Sequence, residues 1–522
     1  MPDKVLKKIK PRKYQQDIFN VCKEKNCLVV LPTGIGKTLI ALMLSIYTQK
    51  QYPATKTLFL APTRPLAEQH LNYFKKHLPE LFAELTLFTG KINAENRKKL
   101  WETADIIFST PQCIANDLKK NLYSLEEVTL LIEDECHRCL KNYAYTYISN
   151  IYKEQANTPK MLGLTASPGV EKENIRQITE NLGIEAIEMR TRDSEDVKEY
   201  LQELEVTTIR LEFPEEFKEI TEIIKKIYTK KIEELKNRKL LFGPPTKTNI
   251  LKLQSRLMTS IRAGNRNFNM LMGVSVCAQA IKISHLIELL ETQTLHSAIN
   301  YIKSMYEQAA QKKSKAVQNI IKNKEFNRAY VKINELNSRK IEHPKLLETK
   351  SLIGEAIIEN PKNKTIVFSQ YRDTVIKIAE ELNSIENINA KVFVGQAKKQ
   401  GSGLSQKEQQ EIIKEFRDGK INIICATSIA EEGLDIPEVN SVIFYEPIPS
   451  AIRKIQRAGR TARLMKGKLI ILMTLNTLDE IFYYSSRNKE KKMYKSIESI
   501  KKDLDGSKII KSKPKSEQKT LF

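Results

Sequence analysis

The stretch Cys27-Leu-Val-Val-Leu31-Pro32-Thr33-Gly34-Ile35-Gly36-Lys37-Thr38, running on into Leu39-Ile-Ala-Leu-Met-Leu44, decides how this chain is read. A continuous apolar run of this length, broken by a glycine turn and followed by a helical pattern, predicts a buried parallel strand feeding a helix. Glycines in the turn let backbone N–H groups close on phosphate oxygens without interference from Cβ atoms. Thr33, Gly34 and Gly36 are therefore expected to form the cradle of a nucleotide triphosphate. Lys37 is expected to reach the β/γ-phosphates and Thr38 to hold Mg²⁺, with the helix N-terminus adding its dipole. Leu31 stands where the strict form G-x-x-x-x-G-K-[ST] has its first glycine. A Gly-Lys-Thr arises often by chance, but seldom between a buried strand and a helix.

Outward from this turn the same rhythm repeats. Apolar runs at Cys27–Leu31, Thr57–Leu60, Asp105–Ser109, Thr129–Ile132 and Met161–Leu164 alternate with amphipathic helical lengths. After residue 345 it returns in Thr365–Phe368, Lys391–Val394, Ile421–Cys425, Ser441–Tyr445 and Lys468–Met473. Such alternation predicts βαβ units, hence two α/β lobes, roughly 1–195 and 346–485. From Pro214 to Lys345 helical spacing dominates, as in Ile220, Ile223, Ile224 and Ile227, with a break at Gly243-Pro244-Pro245. The span 196–345 is read as an all-helical insert. Residues 486–522 read as a basic helix fading into a disordered tail.

Two further clusters belong with the phosphate turn. Thr129-Leu-Leu-Ile132 runs into Glu133-Asp134-Glu135-Cys136-His137, which sets carboxylates at the carboxyl end of a strand, where ligands bind in parallel sheets. Asp134 is expected near Mg²⁺ and Glu135 at the attacking water. In the second lobe, Gln456-Arg-Ala-Gly-Arg460-Thr-Ala-Arg463 puts two guanidinium groups on one helix face, able to reach a phosphate. Arginines so placed can be worth ~10³–10⁵ in rate. Cys136-His-Arg-Cys139 has no matching second pair, so no metal cluster is expected.

The chain has 522 residues, 86 Lys+Arg against 63 Asp+Glu, and a formal charge of +23. Residues 216–345 carry 25 basic and 11 acidic side chains, and residues 486–522 carry 12 and 5. The other residues are close to neutral, so the excess marks docking surfaces for a polyanion rather than scattered solvated faces. Seven cysteines in 522 residues form no disulfide framework. The longest apolar run, Leu39–Leu44, is far below the ~18 residues of a membrane span. A soluble, intracellular protein without a membrane partner is expected.

Taken in order, these motifs resemble those of superfamily 2 helicases across both lobes. Arg12-Lys-Tyr14-Gln15 resembles the adenine-reading Q motif, and Ala61-Pro-Thr63-Arg64-Pro-Leu-Ala-Glu-Gln69 resembles motif Ia. Thr89-Gly90, Thr110-Pro-Gln112, Asp134–His137 and Thr165-Ala-Ser167 resemble motifs Ic, Ib, II and III. Val367-Phe-Ser-Gln-Tyr-Arg372, Ala426–Asp435 and Gln456–Arg463 resemble IV, V and VI. Ala462 replaces the glycine most relatives have in motif VI. Within the superfamily, Gly395–Gln409 and Phe444-Tyr-Glu-Pro-Ile-Pro449 are similar to the archaeal Hef and eukaryotic FANCM branch, which also has a helical insert. The resemblance covers the helicase part only, since the chain has no Glu-Arg-Lys nuclease motif.

The resemblance implies two tandem RecA-like lobes, ATP and Mg²⁺ as cofactors, and a role for each matched residue. Gln15 would contact adenine and Asp435 the ribose. Lys37, Thr38, Asp134 and Glu135 would bind and hydrolyse MgATP, with Gln456, Arg460 and Arg463 completing the site. Arg64, Gly90, Thr110 and Thr427 would grip the nucleic-acid backbone, while His137, Thr165 and Ser167 would couple the two sites. The expected function is an ATP-driven helicase or translocase on branched DNA, forks and Holliday junctions, in replication-fork repair. It would act in the cytoplasm beside the nucleoid of an archaeon, or in the nucleus of a eukaryote. Alternatives are a double-stranded-RNA-stimulated ATPase and a non-catalytic nucleic-acid clamp. A separate nuclease would be a partner. So would the sliding clamp PCNA, because Gln518, Leu521 and Phe522 have the spacing of a clamp-binding tail.

Overall fold

The computed structural model describes residues 5–7, 9–201, 203–396, 403–427, 436–448 and 467–506. The chain divides into two units, Met1–Glu199 with Asn488–Phe522, and Tyr200–Arg487.

The first unit is a seven-stranded sheet ordered β3-β4-β2-β5-β6-β1-β7, with every pairing parallel. Its strands are β1 (Cys27–Val30), β2 (Lys56–Leu60), β3 (Leu85–Phe88), β4 (Ile106–Ser109), β5 (Val128–Asp134), β6 (Met161–Thr165) and β7 (Ala186–Met189). The intervening helices are α1 (Lys13–Glu24), α2 (Lys37–Gln51), α3 (Arg64–His77), α4 (Ala94–Thr103), α5 (Pro111–Lys119), α6 (Ala144–Gln155), α7 (Lys172–Leu182) and the short α8 (Glu195–Lys198). Strands β1, β2, β4, β5 and β6 are buried along their whole length, which is why they read as unbroken apolar runs.

The second unit carries a six-stranded parallel sheet, β10-β11-β9-β12-β13-β8. It opens with β8 (Leu204–Leu211), then a run of helices α9 (Glu215–Asn237), α10 (Lys247–Arg262), α11 (Phe268–Thr292), α12 (Leu295–Ala310), α13 (Lys315–Ile321), α14 (Lys324–Ser338) and α15 (Pro344–Glu359). The α/β part follows as β9 (Thr365–Phe368), α16 (Arg372–Leu382), β10 (Ala390–Phe393), α17 (Gln406–Arg417), β11 (Ile423–Ala426), β12 (Ser441–Phe444) and β13 (Gly467–Thr474), ending in α18 (Leu478–Asp505).

β8 corrects the reading of 196–345 as all helical. It pairs with β13 residue for residue, from Leu204 opposite Gly467 to Leu211 opposite Thr474. As an edge strand with exposed and half-buried positions, Leu204-Glu-Val-Thr-Thr-Ile-Arg-Leu211 lacks the continuous apolar run of the inner strands. The helical part builds its own core, from Phe217, Ile220, Ile224 and Ile227 of α9 with Ile283, Leu286 and Leu290 of α11. α11 is long and apolar enough, by length and composition alone, to cross a membrane. Its apolar side chains are instead spent on this core and on a second cluster with Leu253 and Leu257 of α10.

Candidate nucleotide and nucleic-acid sites

The glycine turn sits between β1 and α2 as the sequence requires. Gly34 and Gly36 have φ of 86° and 89°, a region that costs a Cβ-bearing residue dearly. A Cβ on Gly36 would also collide with the Gln15 amide. That amide donates to Ile35 O (3.2 Å) and accepts from Arg12 N (2.8 Å), while Tyr14 OH donates to Ile35 O (2.6 Å). Gln15 and Tyr14 thus brace the turn from beneath. Lys37 Nζ donates to Leu31 O at 3.1 Å, which holds its ammonium back along the turn.

β5 delivers the acidic cluster, and strand alternation sends its carboxylates to opposite faces. Glu133 turns towards α6, where Ser149 Oγ donates to it at 2.6 Å. Burial pushes its carboxyl up to about 8 despite that bond. Asp134 faces the glycine turn. Burial alone would raise it, but the hydrogen bond from His70 and the charges of His70 and Lys37 prevail and hold it below its ordinary value. Glu135 follows in the left-handed region (φ 51°), a cost for a non-glycine residue of the kind stored at functional sites. Tyr145 OH anchors the bend by donating to Asp134 O at 2.7 Å.

His70 is the member of this group that sequence reasoning missed. Its Nε2 lies 2.8 Å from Asp134 Oδ2 and its Nδ1 3.4 Å from Thr38 Oγ1, so one imidazole joins the two residues expected at Mg²⁺. The available signal was a polar residue on the buried face of α3, among Ala67, Leu71 and Phe74.

Among the described residues, Thr33 Oγ1 and Glu135 Oε2 are buried without a hydrogen-bond partner. Two orphaned oxygens beside a lysine, a threonine hydroxyl and an ionised aspartate fit a triphosphate with its cation and attacking water. Glu135 Oε2 also lies 3.2 Å from His137 Nδ1, an ion-pair distance without hydrogen-bond geometry. His137 Nδ1 is 3.1 Å from Thr165 Oγ1, which in turn accepts from Ser167 N and donates to Ser167 O, both at 3.1 Å. Ser167 Oγ meets Met493 Sδ of α18 at 2.7 Å, and Ser496 Oγ donates to Val170 O at 3.3 Å. The three expected coupling residues therefore form one chain, ending on a helix whose sequence gives no sign of this attachment. Cys136 and Cys139 are buried, and burial raises both thiols.

The strand order sorts the remaining residues. Arg64, Gly90 and Thr110 follow β2, β3 and β4, three adjacent strands. The glycine turn, the acidic cluster and Thr165–Ser167 follow β1, β5 and β6, the next three strands of the same sheet. One carboxyl edge thus carries both sets side by side, as ligand sites in open α/β sheets do. In the second unit Thr427 follows β11, where its N–H donates to Phe393 O at 3.2 Å. Asp435, Gln456, Arg460, Arg463, Gln518, Leu521 and Phe522 lie outside the described residues.

Two parallel-sheet lobes, the first with a phosphate turn beside Asp-Glu-Cys-His, define a superfamily 2 helicase. Residues 8–170 match the family described as type III restriction enzyme, res subunit, residues 347–465 the helicase conserved C-terminal domain, and residues 216–341 the helical bundle of putative ATP-dependent RNA helicases. The crystal structure of the Pyrococcus furiosus Hef helicase domain is 42% identical with a TM-score of 0.71, covering 92% of this chain and 100% of that one. The chain belongs to the Hef branch of these helicases. A putative ATP-dependent RNA helicase of Methanocaldococcus jannaschii is 37% identical over 95% of this chain and 61% of its own length. The ATP-dependent DNA helicase mph1 of Neurospora crassa is 31% identical over 91% of this chain and 42% of its own. The chain thus spans about three fifths or less of these two relatives.

Proposed function

We propose that the protein is an ATP-driven DNA translocase or helicase acting on branched DNA. The observation that carries this reading is the shared carboxyl edge of the first sheet, where the nucleotide residues and the nucleic-acid row are neighbours. Lys37, released from Leu31 O, binds the phosphates. Thr38 and Asp134 hold the cation, with His70 setting their geometry, and Glu135 accepts a proton from the attacking water. Mg²⁺, when bound, neutralises charge on the transferring phosphate. His137, Thr165 and Ser167 lead from Glu135 to the loop after β6 and to α18, the route by which the state of the nucleotide would be passed on. Gln456, Arg460, Arg463 and Asp435 enter this reading through their motifs alone, as do a sliding-clamp contact through Gln518, Leu521 and Phe522 and a separate nuclease.

DNA is the favoured substrate because the mph1 relative is described as a DNA helicase, and the basic helices would hold a duplex arm by its phosphates. A duplex-RNA-stimulated ATPase is the second reading, favoured by the description of the helical-bundle family and the Methanocaldococcus relative as putative ATP-dependent RNA helicases. ATPase rates with fork DNA, linear duplex DNA and duplex RNA, measured side by side, decide between them. Greatest stimulation by the fork is expected, and greatest stimulation by duplex RNA overturns the DNA reading.

A further inference from the structure

The link between α11 and α12 is two residues long, and its first, Gln293, is completely buried. All four hydrogen-bonding positions of its amide are used. Oε1 accepts from Ser369 Oγ (3.0 Å) and Thr374 Oγ1 (2.8 Å), while Nε2 donates to Thr292 Oγ1 (2.9 Å) and Glu446 Oε2 (3.3 Å). Ser369, Thr374 and Glu446 are themselves fully buried. The other oxygen of Glu446 accepts Gln370 N at 2.7 Å, and Ser297 Oγ of α12 meets Thr374 Oγ1 at 2.9 Å. A few residues along, Tyr371 OH donates to Glu288 Oε1 of α11 at 2.7 Å.

Two stretches of sequence far apart in the chain meet here. Ser369-Gln-Tyr-Arg372 is the motif IV stretch after β9, and Glu446 belongs to Phe444-Tyr-Glu-Pro-Ile-Pro449 after β12. Apolar contact would have docked the helices on the sheet without the desolvation cost of buried amide, hydroxyl and carboxylate groups. A fully satisfied polar hub instead fixes one geometry. A groove of about 560 Å³ opens at the same joint, lined by Asn300 and Tyr301 from the helices and Gln370 and Arg372 from motif IV.

We propose that Gln293 is a positioning residue that locks motif IV to the helical insert, so that DNA held by the insert sets motif IV and raises ATP turnover. This rests on the DNA-translocase reading above. Gln293 acts through Ser369, Gln370 and Glu446.

Gln293→Glu tests the idea with a nearly isosteric change. It sets a second carboxylate against Glu446, and two buried carboxylates at hydrogen-bond distance must share a proton. The other titratable groups near the link are Glu342, which accepts Leu295 N, Lys345, which donates to Thr292 O and pairs with Asp479, Glu291, which pairs with Lys225, and His343 on Glu291 O, which burial and Lys345 hold well below its ordinary value. Relative to wild type at the same pH, Gln293→Glu should lower DNA-stimulated turnover by about tenfold near pH 8 and recover most of it near pH 6, the effect of removing a single hydrogen bond. Basal ATPase without DNA should stay within about twofold. The double variant Gln293→Glu, Glu446→Gln restores the bond between the two side chains with its donor reversed, leaves Thr292 Oγ1 without its amide donor, and should restore most of the stimulation at both pH values. Thr374→Val, which removes one hydroxyl from the hub, is the milder companion and should lower stimulation in the same direction. Unchanged stimulation in both single variants, or basal and stimulated rates falling in equal proportion, overturns the proposal. Wild-type protein that no DNA stimulates would instead overturn the reading on which it rests.

Discussion

At the scale of single residues, neighbouring acids do different work because a strand turns successive side chains to opposite faces. Glu135→Gln is expected to retain nucleotide binding and lose turnover by several orders of magnitude, the loss typical when a residue acting on the attacking water is removed. Lys37→Ala should weaken both. His70→Ala should raise the Mg²⁺ concentration needed for half-maximal ATPase, since Asp134 and Thr38 lose their common partner; an unchanged Mg²⁺ dependence refutes its positioning role. Glu133 yields a stability prediction. Its folded-state carboxyl titrates at about 8, against 4.5 ordinarily. The neutral acid is therefore fully tolerated below about 4.5, and folding loses stability as pH rises through about 8, by the order of a few kcal/mol. The melting temperature of Glu133→Gln relative to wild type should become more favourable as pH rises across that window. A difference that stays flat with pH removes the assignment.

At the scale of elements, α9 separates two kinds of lysine. Lys225 Nζ pairs at 2.6 Å with Glu291, a buried residue whose other oxygen accepts Leu478 N, and Lys231 pairs with Glu234 at 3.2 Å. Lys226 and Lys230 are exposed, four residues apart on one helix face. Reversing charge at Lys226 and Lys230 should lower fork-DNA affinity and flatten the log–log salt dependence by about 0.9 for each phosphate no longer neutralised. Lys225→Glu should instead lower the melting temperature, because it leaves Glu291 buried without its cation. Equal salt slopes for wild type and the Lys226, Lys230 variant would make that face a merely solvated one.

At the scale of the whole molecule, the chain leaves its first unit at Glu199 and returns to it at Asn488. The returning part of α18 buries Met493, Ile497 and Ile500 and ties the loop after Ser167 through Lys492–Glu171 and Lys172–Asp503 pairs. Ending the chain at Arg487 should therefore destabilise the first unit and leave the second as it was. Two units with separate cores are expected to melt in two steps, and calorimetry should show only the first-unit step move down. A single step shifted as one would refute their independence.

The parts legible in the sequence were those whose cause is local. Cys27–Leu31 is buried on both faces, so it reads as a strand by composition alone, and Gly34 and Gly36 announce a backbone that only glycine adopts readily. The strands other than the edge strands β3, β7 and β8, the phosphate turn and the Asp134-Glu135 pair followed from such signals. Tertiary structure alone decided the rest. β8 is a strand because β13, more than 250 residues away, supplies its hydrogen bonds. His70 matters because α3 packs it between Thr38 and Asp134, and Gln293 because Ser369, Thr374 and Glu446 arrive from 76 to 153 residues further on. A periodic pattern records which face of an element is buried, whereas a hydrogen bond across the fold leaves only one polar residue on an apolar face, with nothing nearby in the chain to name its partner.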